Sequence, residues 1–298
     1  MIYYILCLLI IILLIIYIYY YYKKNKTKIN DNNNDNNDND NDNNNDIIFI
    51  TSYKDIGRDK WTQLKRTNQN YYDWFNILAS NIKYKLIVYI DDITKNNLFK
   101  NNSYNDNIEF KNINDVDTFY NNYLTIEENI INSDIYKSKI NNDISRPETW
   151  NASYNLVNHS KINFVAYTKK IYSDYTFYSW IDFGYTRESP DLVPKNLIIE
   201  KIPKYKIILE YFKLPPKRVN DEELLKIHET LFKASSFIIH TDLVENLETK
   251  YKQKLEYWHT NYICDDDEAL LLQLYYDDPD KFYLIQDPRW FSLYFYFM

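Results

Sequence analysis

Glycine is almost missing from this chain. Its 298 residues hold two, Gly57 and Gly184, where a chain of this length with about 7% glycine would carry roughly twenty. Two isolated glycines build no G-x-G-x-x-G fingerprint, no Walker A loop and no G-x-S-x-G elbow. Ordinary Rossmann dehydrogenases, P-loop kinases and typical α/β-hydrolases are thereby set aside. Cysteine is as scarce. Cys7 lies in an apolar run and Cys264 stands alone, so no intrachain disulfide is implied and no zinc site is expected from cysteine. That usage favours a reducing compartment. The four histidines, His159, His228, His240 and His259, show no H-E-x-x-H or other close ligand spacing. With a net charge of −7 and no basic stripe in the main body of the chain, nucleic acid is not an expected partner.

Abundance carries less information here than scarcity. Asn, Ile, Tyr, Lys and Asp crowd the sequence in the manner of AT-rich codon usage, which devalues Asn-rich and Tyr-rich stretches as signals. A retained glycine gains value, because glycine reaches positive φ or allows close backbone approach at no steric cost. Both glycines sit in the same arrangement, Asp-apolar-Gly, in "KDIGRDKW" and "WIDFGYTR".

"IYYILCLLIIILLIIYIYYYY", residues 2–22, is an uncharged run of 21 residues, long enough to span a bilayer as one helix. It is too long for an ordinary signal-peptide core, and no small-residue cleavage site follows. The sequence therefore predicts a single-pass anchor in contact with the lipid bilayer, with Tyr17 and Tyr19–Tyr22 at the headgroup level. Lys23, Lys24, Lys26 and Lys28 place the following domain on the cytosolic face by the positive-inside rule. Sequons at Asn25, Asn101, Asn151 and Asn158 would suit a lumenal face, so both orientations stay open. Residues 23–46 begin basic and continue as an Asn/Asp tract too polar to bury a core. Such a coil tethers the next domain about 25–30 Å from the membrane.

Residues 47–298 are long enough for one large domain. Apolar runs predict strands at 47–51, 85–91, 175–182, 205–212, 235–240 and 281–285. Helices are predicted at 70–80, with Tyr71, Phe75 and Leu78 on one face, at 146–161 and at 265–278. A capping box of Ser145 and Glu148 would open the second of these, and Trp150, Tyr154, Val157 and Lys161 would share its face. Strands separated by helices predict an α/β domain around a mostly parallel sheet. In such sheets ligands bind beyond the carboxyl ends of the strands, and both Asp-apolar-Gly groups fall there. The closing "RWFSLYFYFM" is too short for a second span. A docked strand, a membrane-surface contact or an assembly contact is expected of it.

"TSYKDIGRDKW", "RTNQNYYDWF", "KLIVYID", "RPETWNASYNLVNHSKINFV" and "YSWIDFGYTR" together resemble the HtrL/YibB (WlaTC-like) family. The resemblance runs from about Ile47 to Phe282 and excludes the anchor and the tether. It implies a GT-A-like nucleotide-diphospho-sugar transferase fold and a glycosyltransferase-like, hexosyltransferase-like activity. The implied substrates are a nucleotide sugar and a glycan or glycoconjugate acceptor. Thr51, Asp55, Gly57 and Arg58 resemble that family's donor entrance, with Arg58 at the phosphates.

A leaving diphosphate needs positive charge, commonly a divalent ion held by carboxylates. Asp182 stands where many transferases of that fold carry D-x-D, but the third residue here is Gly184. Either Mn²⁺ or Mg²⁺ binds Asp182 with other ligands, or the site is metal-free and Asp182 meets ribose. Arg187 follows in the same loop, where its planar fork would donate hydrogen bonds to a phosphate. Lys161 is expected at a helix end, either pointing inward to the sheet or snorkelling at the helix C-terminus. In related transferases a carboxylate in this late region contacts the acceptor or acts as base, so the resemblance implies Asp267 and Glu268 as the catalytic carboxylates; an inverting transfer would need one such base. Placement of Asp265, Asp266, Asp267 and Glu268 in a first helical turn also suits the helix dipole. A surface ion pair of Asp55 with Arg58 is the plain alternative in the first loop, and His240 is a further expected contact. The leading expectation is a membrane-anchored glycosyltransferase. A catalytically silent glycan-binding or interaction protein of the same fold is the alternative, and a metal-dependent hydrolase the third reading.

Overall fold

The computed structural model describes residues 46–298 apart from 101, 141–145, 216, 228 and 229. The expected span at 2–22, the tether except Asp46, the capping residue Ser145 and His228 all lie outside the described residues. Among the described residues no helix is long and apolar enough to cross a membrane.

Seven strands make one sheet: β1 (Ile47–Ser52), β2 (Leu86–Ile90), β3 (Ile108–Asn112), β4 (Phe177–Ile181), β5 (Ile207–Tyr211), β6 (Phe232–His240) and β7 (Phe282–Gln286). Their order is β3-β2-β1-β4-β6-β5-β7. Pairs β1–β2, β1–β4, β2–β3 and β5–β7 are parallel, whereas β6 runs antiparallel to both β4 and β5. The α/β expectation with a mostly parallel sheet is met, with β6 as the reversed strand. The helices are α1 (Asn68–Asn81), α2 (Asp92–Phe99), α3 (Phe119–Asn132), α4 (Asp134–Lys139), α5 (Ala152–His159), α6 (Lys161–Ile171), α7 (Asp221–Leu224), α8 (Val244–Thr260) and α9 (Asp267–Asp277).

Alternate residues of each central strand face opposite sides, and both sides are covered. Ile48, Ile50, Ile87, Tyr89, Tyr178 and Trp180 join a core with residues of α3, α5, α6, α8 and α9. Ile47, Phe49, Leu86, Val88, Phe177 and Ile181 join a second core with α1 and the C-terminal segment. Burial on both faces explains why these strands read as unbroken apolar runs. Each large apolar side chain so buried contributes about 1.5–3 kcal/mol of transfer free energy.

Three local expectations change. The segment 146–161 is not one helix: Pro147–Thr149 is a 3-10 turn, and α5 begins after Asn151, whose side chain accepts from the Tyr154 amide. The chain then breaks at Ser160, so Lys161 opens α6 instead of closing a helix. The C-terminal aromatics form a 3-10 turn, Leu293–Tyr296, rather than a strand. They enter the core, with Phe291, Leu293, Tyr294 and Phe297 buried. Tyr294 Oη donates to the Trp180 carbonyl at 2.9 Å. His240 also moves from its expected place. Because β6 is reversed, His240 pairs with Phe177 at the start of β4, the sheet end opposite the crevice described next.

Candidate active site

The chain runs outward from β1 to β2 and β3, then returns to lay β4 on the other side of β1. Such a reversal opens a crevice beyond the carboxyl ends of the two strands. A cavity of about 440 Å³ lies there, lined by Ser52–Ile56 after β1, Asp182–Gly184 after β4, Lys161, and Asp266–Glu268 at the start of α9. Lys54, Arg58, Arg66 and Arg187 add positive charge to its wall, and Tyr71, Tyr154 and Trp290 add aromatic surface.

Of the residues singled out in the sequence, Asp55, Arg58, Lys161, Asp182, Gly184, Arg187, Asp267 and Glu268 all line this cavity. Thr51 lies beneath it, wholly buried in β1 with its Oγ1 unpartnered. Gly57 shapes the first loop without lining the cavity.

The two glycines answer different needs. Gly57 has φ 73°, in the left-handed region, and its amide donates to Asp55 Oδ1 at 2.8 Å to close the turn. Gly184 has an ordinary φ of −99°, but a Cβ there would stand 3.1 Å from Trp74 Cε3 and 3.4 Å from Tyr71 Cδ1. One glycine supplies conformation and the other supplies space. Alanine at 57 is expected to lower stability by about 1–2 kcal/mol, with the cavity intact. Alanine at 184 is expected to displace Trp74 or the Asp182 loop and so to weaken ligand binding more than folding. Urea unfolding and ligand titration of the two variants check this.

The alternative for the first loop, an Asp55–Arg58 ion pair, does not form. Asp55 instead accepts from Gly57 and from Asn68 Nδ2 at 2.8 Å. Arg58 donates to Tyr71 Oη at 2.8 Å and to the Leu64 carbonyl at 3.2 Å, and its guanidinium lies 4.8 Å from the centre of the Trp61 ring. Arg187 packs 4.4 Å from the centre of the Phe291 ring. Burial first, then the Arg66 charge, pushes its pKa down. Among the described residues neither Arg66 nor Arg187 has a carboxylate within 4 Å. Arg58 Nε, Ser235 Oγ and Trp290 Nε1, all on residues that line the cavity, are buried without partners.

Lys161 forms the centre of the site. Its side chain is 7% exposed, and Nζ lies 2.9 Å from Asp267 Oδ2 and 3.4 Å from Asp182 Oδ1. It also donates to the Ala234 carbonyl at 3.0 Å. Burial would push this ammonium down, but Asp182 and Asp267 outweigh burial and hold its pKa well above the usual lysine value. The inward-pointing expectation holds, and the snorkelling alternative does not. Asp182 is anchored twice more, by Trp180 Nε1 donating to Oδ1 at 2.9 Å and by its own amide donating to the Ser235 carbonyl at 2.9 Å.

A metal on Asp182 would need a second carboxylate nearby, and the facing one, Asp267, is reached across Lys161 Nζ. The pair as arranged fits an ammonium between its oxygens, not a divalent ion.

Asp265, Asp266 and Asp267 are buried together at the start of α9, with Glu268 half-buried beside them. Asp266 caps the helix by accepting from the Glu268 amide at 3.1 Å, and Glu268 Oε1 accepts from the Ala234 amide at 3.4 Å. Burial pushes Asp265 up to about 6. It also drives Asp266 and Glu268 well above the ordinary carboxyl range, with neighbouring acids adding to it. Sequence reasoning missed Lys54, Arg66, Tyr71, Tyr154 and Trp290. They come from loops and helix faces whose approach to the crevice depends on the tertiary fold.

A family model described as "Bacterial protein of unknown function (HtrL_YibB)" matches residues 45–298. Comparison with curated proteins returned no match. Among solved structures, a cytidylyltransferase from Leptospira borgpetersenii serovar Hardjo-bovis (strain JB197) is similar at 9% identity and a TM-score of 0.36. The alignment covers 82% of this chain and 76% of that one. A likeness of that size carries no argument about the site.

Proposed function

The chain belongs to the HtrL_YibB family over residues 45–298, and from this premise we propose that it is a GT-A-type glycosyltransferase that transfers a sugar from a nucleotide-sugar donor to a glycan or glycoconjugate hydroxyl. One observation carries the reading. At the strand-reversal crevice, a buried ammonium is locked between two carboxylates, and arginines without carboxylate partners face the same cavity. In the proposed step the acceptor oxygen bonds to the anomeric carbon as the bond from that carbon to the diphosphate oxygen breaks. The hydroxyl proton passes to the carboxylate of Glu268, which lines the cavity beside Asp267. Charge developing on the departing diphosphate is met by Arg58, Arg66 and Arg187, whose planar donors match phosphate, and by Lys161. Asp182 and Asp267 hold Lys161 in place. The residues 2–22 anchor and an acceptor near the bilayer belong to the same proposal.

Because Lys161 takes the cation position, adding Mn²⁺ or Mg²⁺ is expected to change the rate of nucleoside diphosphate release by less than about threefold, since the fixed cation already supplies the charge. The test incubates the full chain with a panel of nucleotide sugars and follows diphosphate release and thermal stabilisation together, with Asp182→Asn beside it. Release from one donor, lost in Asp182→Asn, is the expected result. A donor that stabilises the fold without being turned over would favour the catalytically silent reading, and cleavage of a phosphoester without any donor would favour a hydrolase. Strict dependence on added Mn²⁺ would return the metal to Asp182.

A further inference from the structure

Behind the turn that presents Asp266–Glu268, three side chains from distant parts of the chain meet in the interior. Glu127 comes from α3, His259 from the last turn of α8, and Cys264 from the turn before α9. One ligand atom from each lies within 4.8 Å of the others. Glu127 is fully buried, with Cys264 at 2% and His259 at 8% exposure. Glu127 Oε2 is 3.2 Å from His259 Nε2, and Oε1 accepts from Asn155 Nδ2 at 2.8 Å.

This is an expensive place for a carboxylate and a thiol. Among the described residues no lysine or arginine forms an ion pair with Glu127, whose one titratable partner is His259, and burial pushes its carboxyl pKa up. Two further polar atoms at the cluster, His259 Nδ1 and Asn155 Oδ1, are buried without partners. Hydrogen bonding within the protein therefore leaves the group incompletely satisfied.

The chemistry of the donor set is selective. One carboxylate oxygen, one imidazole nitrogen and one sulfur suit zinc, whereas calcium and magnesium prefer oxygen alone. Tetrahedral zinc would place its ligand atoms roughly 3.5 Å apart; Glu127 Oε2 and His259 Nε2 already stand at 3.2 Å, and the three ligand atoms lie within 4.8 Å of one another. We propose that Glu127, His259 and Cys264 bind one zinc-class divalent ion. The Cys264 thiol gives its proton to solvent on binding. Water takes the fourth position, and Asn155 Oδ1 accepts from it.

The ion would have a definite structural consequence. It would tie α3 and the end of α8 to the turn at 261–266. The carbonyl of Asp265 in that turn already lies 2.9 Å from His159 Nε2, and the next three residues are the cavity acids. Zinc here is a buttress for the acid turn, and the inference stands whether or not the cavity transfers sugar.

The test uses the full chain and Co²⁺ as the probe. Purified protein is expected to carry about one equivalent of zinc per chain, as a structural site does, by plasma mass spectrometry after dialysis. Replacement by Co²⁺ is expected to give a thiolate-to-cobalt charge-transfer band in the near ultraviolet. Cys264→Ser should lose that band even though Cys7 remains. Glu127→Gln preserves size and hydrogen bonding, and should weaken Co²⁺ binding by at least about tenfold while staying folded. Stripping the metal should lower the melting temperature of the wild type by several degrees, as the loss of a bound ligand does, and leave that of Cys264→Ser unmoved. Folded protein with no stoichiometric metal, no band with Co²⁺ and a melting temperature indifferent to chelation would overturn the proposal.

Discussion

Lys161→Met is expected to be the most damaging single substitution in the domain. Methionine nearly preserves the length and volume of the stem but removes the charge, leaving Asp267 at 3% exposure and Asp182 beside it without their shared cation. Breaking a buried pair from one side typically costs about 3–5 kcal/mol, because an uncompensated charge stays behind. Donor turnover should fall by at least about a hundredfold, the usual loss when a fixed electrostatic partner of the transition state is removed. A second variant separates the two effects. Lys161→Met with Asp267→Asn removes the stranded charge and should recover most of the stability, as replacement of both partners commonly does. Turnover should not recover, because no cation faces the diphosphate. Chemical denaturation and diphosphate release measured on the same preparations decide it. If the double variant regained turnover along with stability, Lys161 would be a packing residue only.

That lysine also shows how far the sequence could be read. Its place among apolar neighbours points its side chain inward, yet the apolar pattern puts it at the end of a helix where the fold has it begin one. Asn151 caps α5 and Ser160 breaks the chain, and a 3.6-residue apolar pattern passes through such a break unaltered. Strand ends were easier. β1, β2 and β4 are buried on both faces and so form apolar runs, which put Asp55 and Asp182 at the crevice by the strand-end rule. β3, "IEFKN", escaped because it lies at the sheet edge with Ile108 as its one buried residue. The reversal of β6 was not legible either, since a buried strand reads alike in both directions. That reversal decides why Ser235 faces the cavity and His240 does not. The Glu127–His259–Cys264 cluster lay beyond any spacing rule. His259 and Glu127 are separated by 132 positions, and only the packing of α3 against the end of α8 brings them together.

Asp265→Asn is expected to make the protein more stable at neutral pH, by an advantage that grows as the pH rises from 4 to 7. Asp265 is buried at 5% exposure, and burial raises its pKa to about 6 from about 3.9 in the unfolded chain. A carboxyl with a raised folded pKa binds its proton more tightly when folded. Its contribution to stability is therefore present in full below about pH 4. It is lost as the pH rises through 6. Asparagine does not titrate, and its Oδ1 can still accept from the Asp266 amide, as Asp265 Oδ1 does at 2.9 Å. The stability of the variant relative to wild type should therefore grow between pH 4 and pH 7, by up to about 3 kcal/mol for a shift of some two pH units. His159 opposes the trend in both proteins, because burial pushes its pKa down to about 3 and an imidazole kept neutral favours unfolding below about pH 6.5. Its effect cancels in the difference. Urea midpoints of the two proteins at a series of pH values measure that difference directly, and a gap that stayed constant from pH 4 to pH 7 would mean that Asp265 is ionised in the fold.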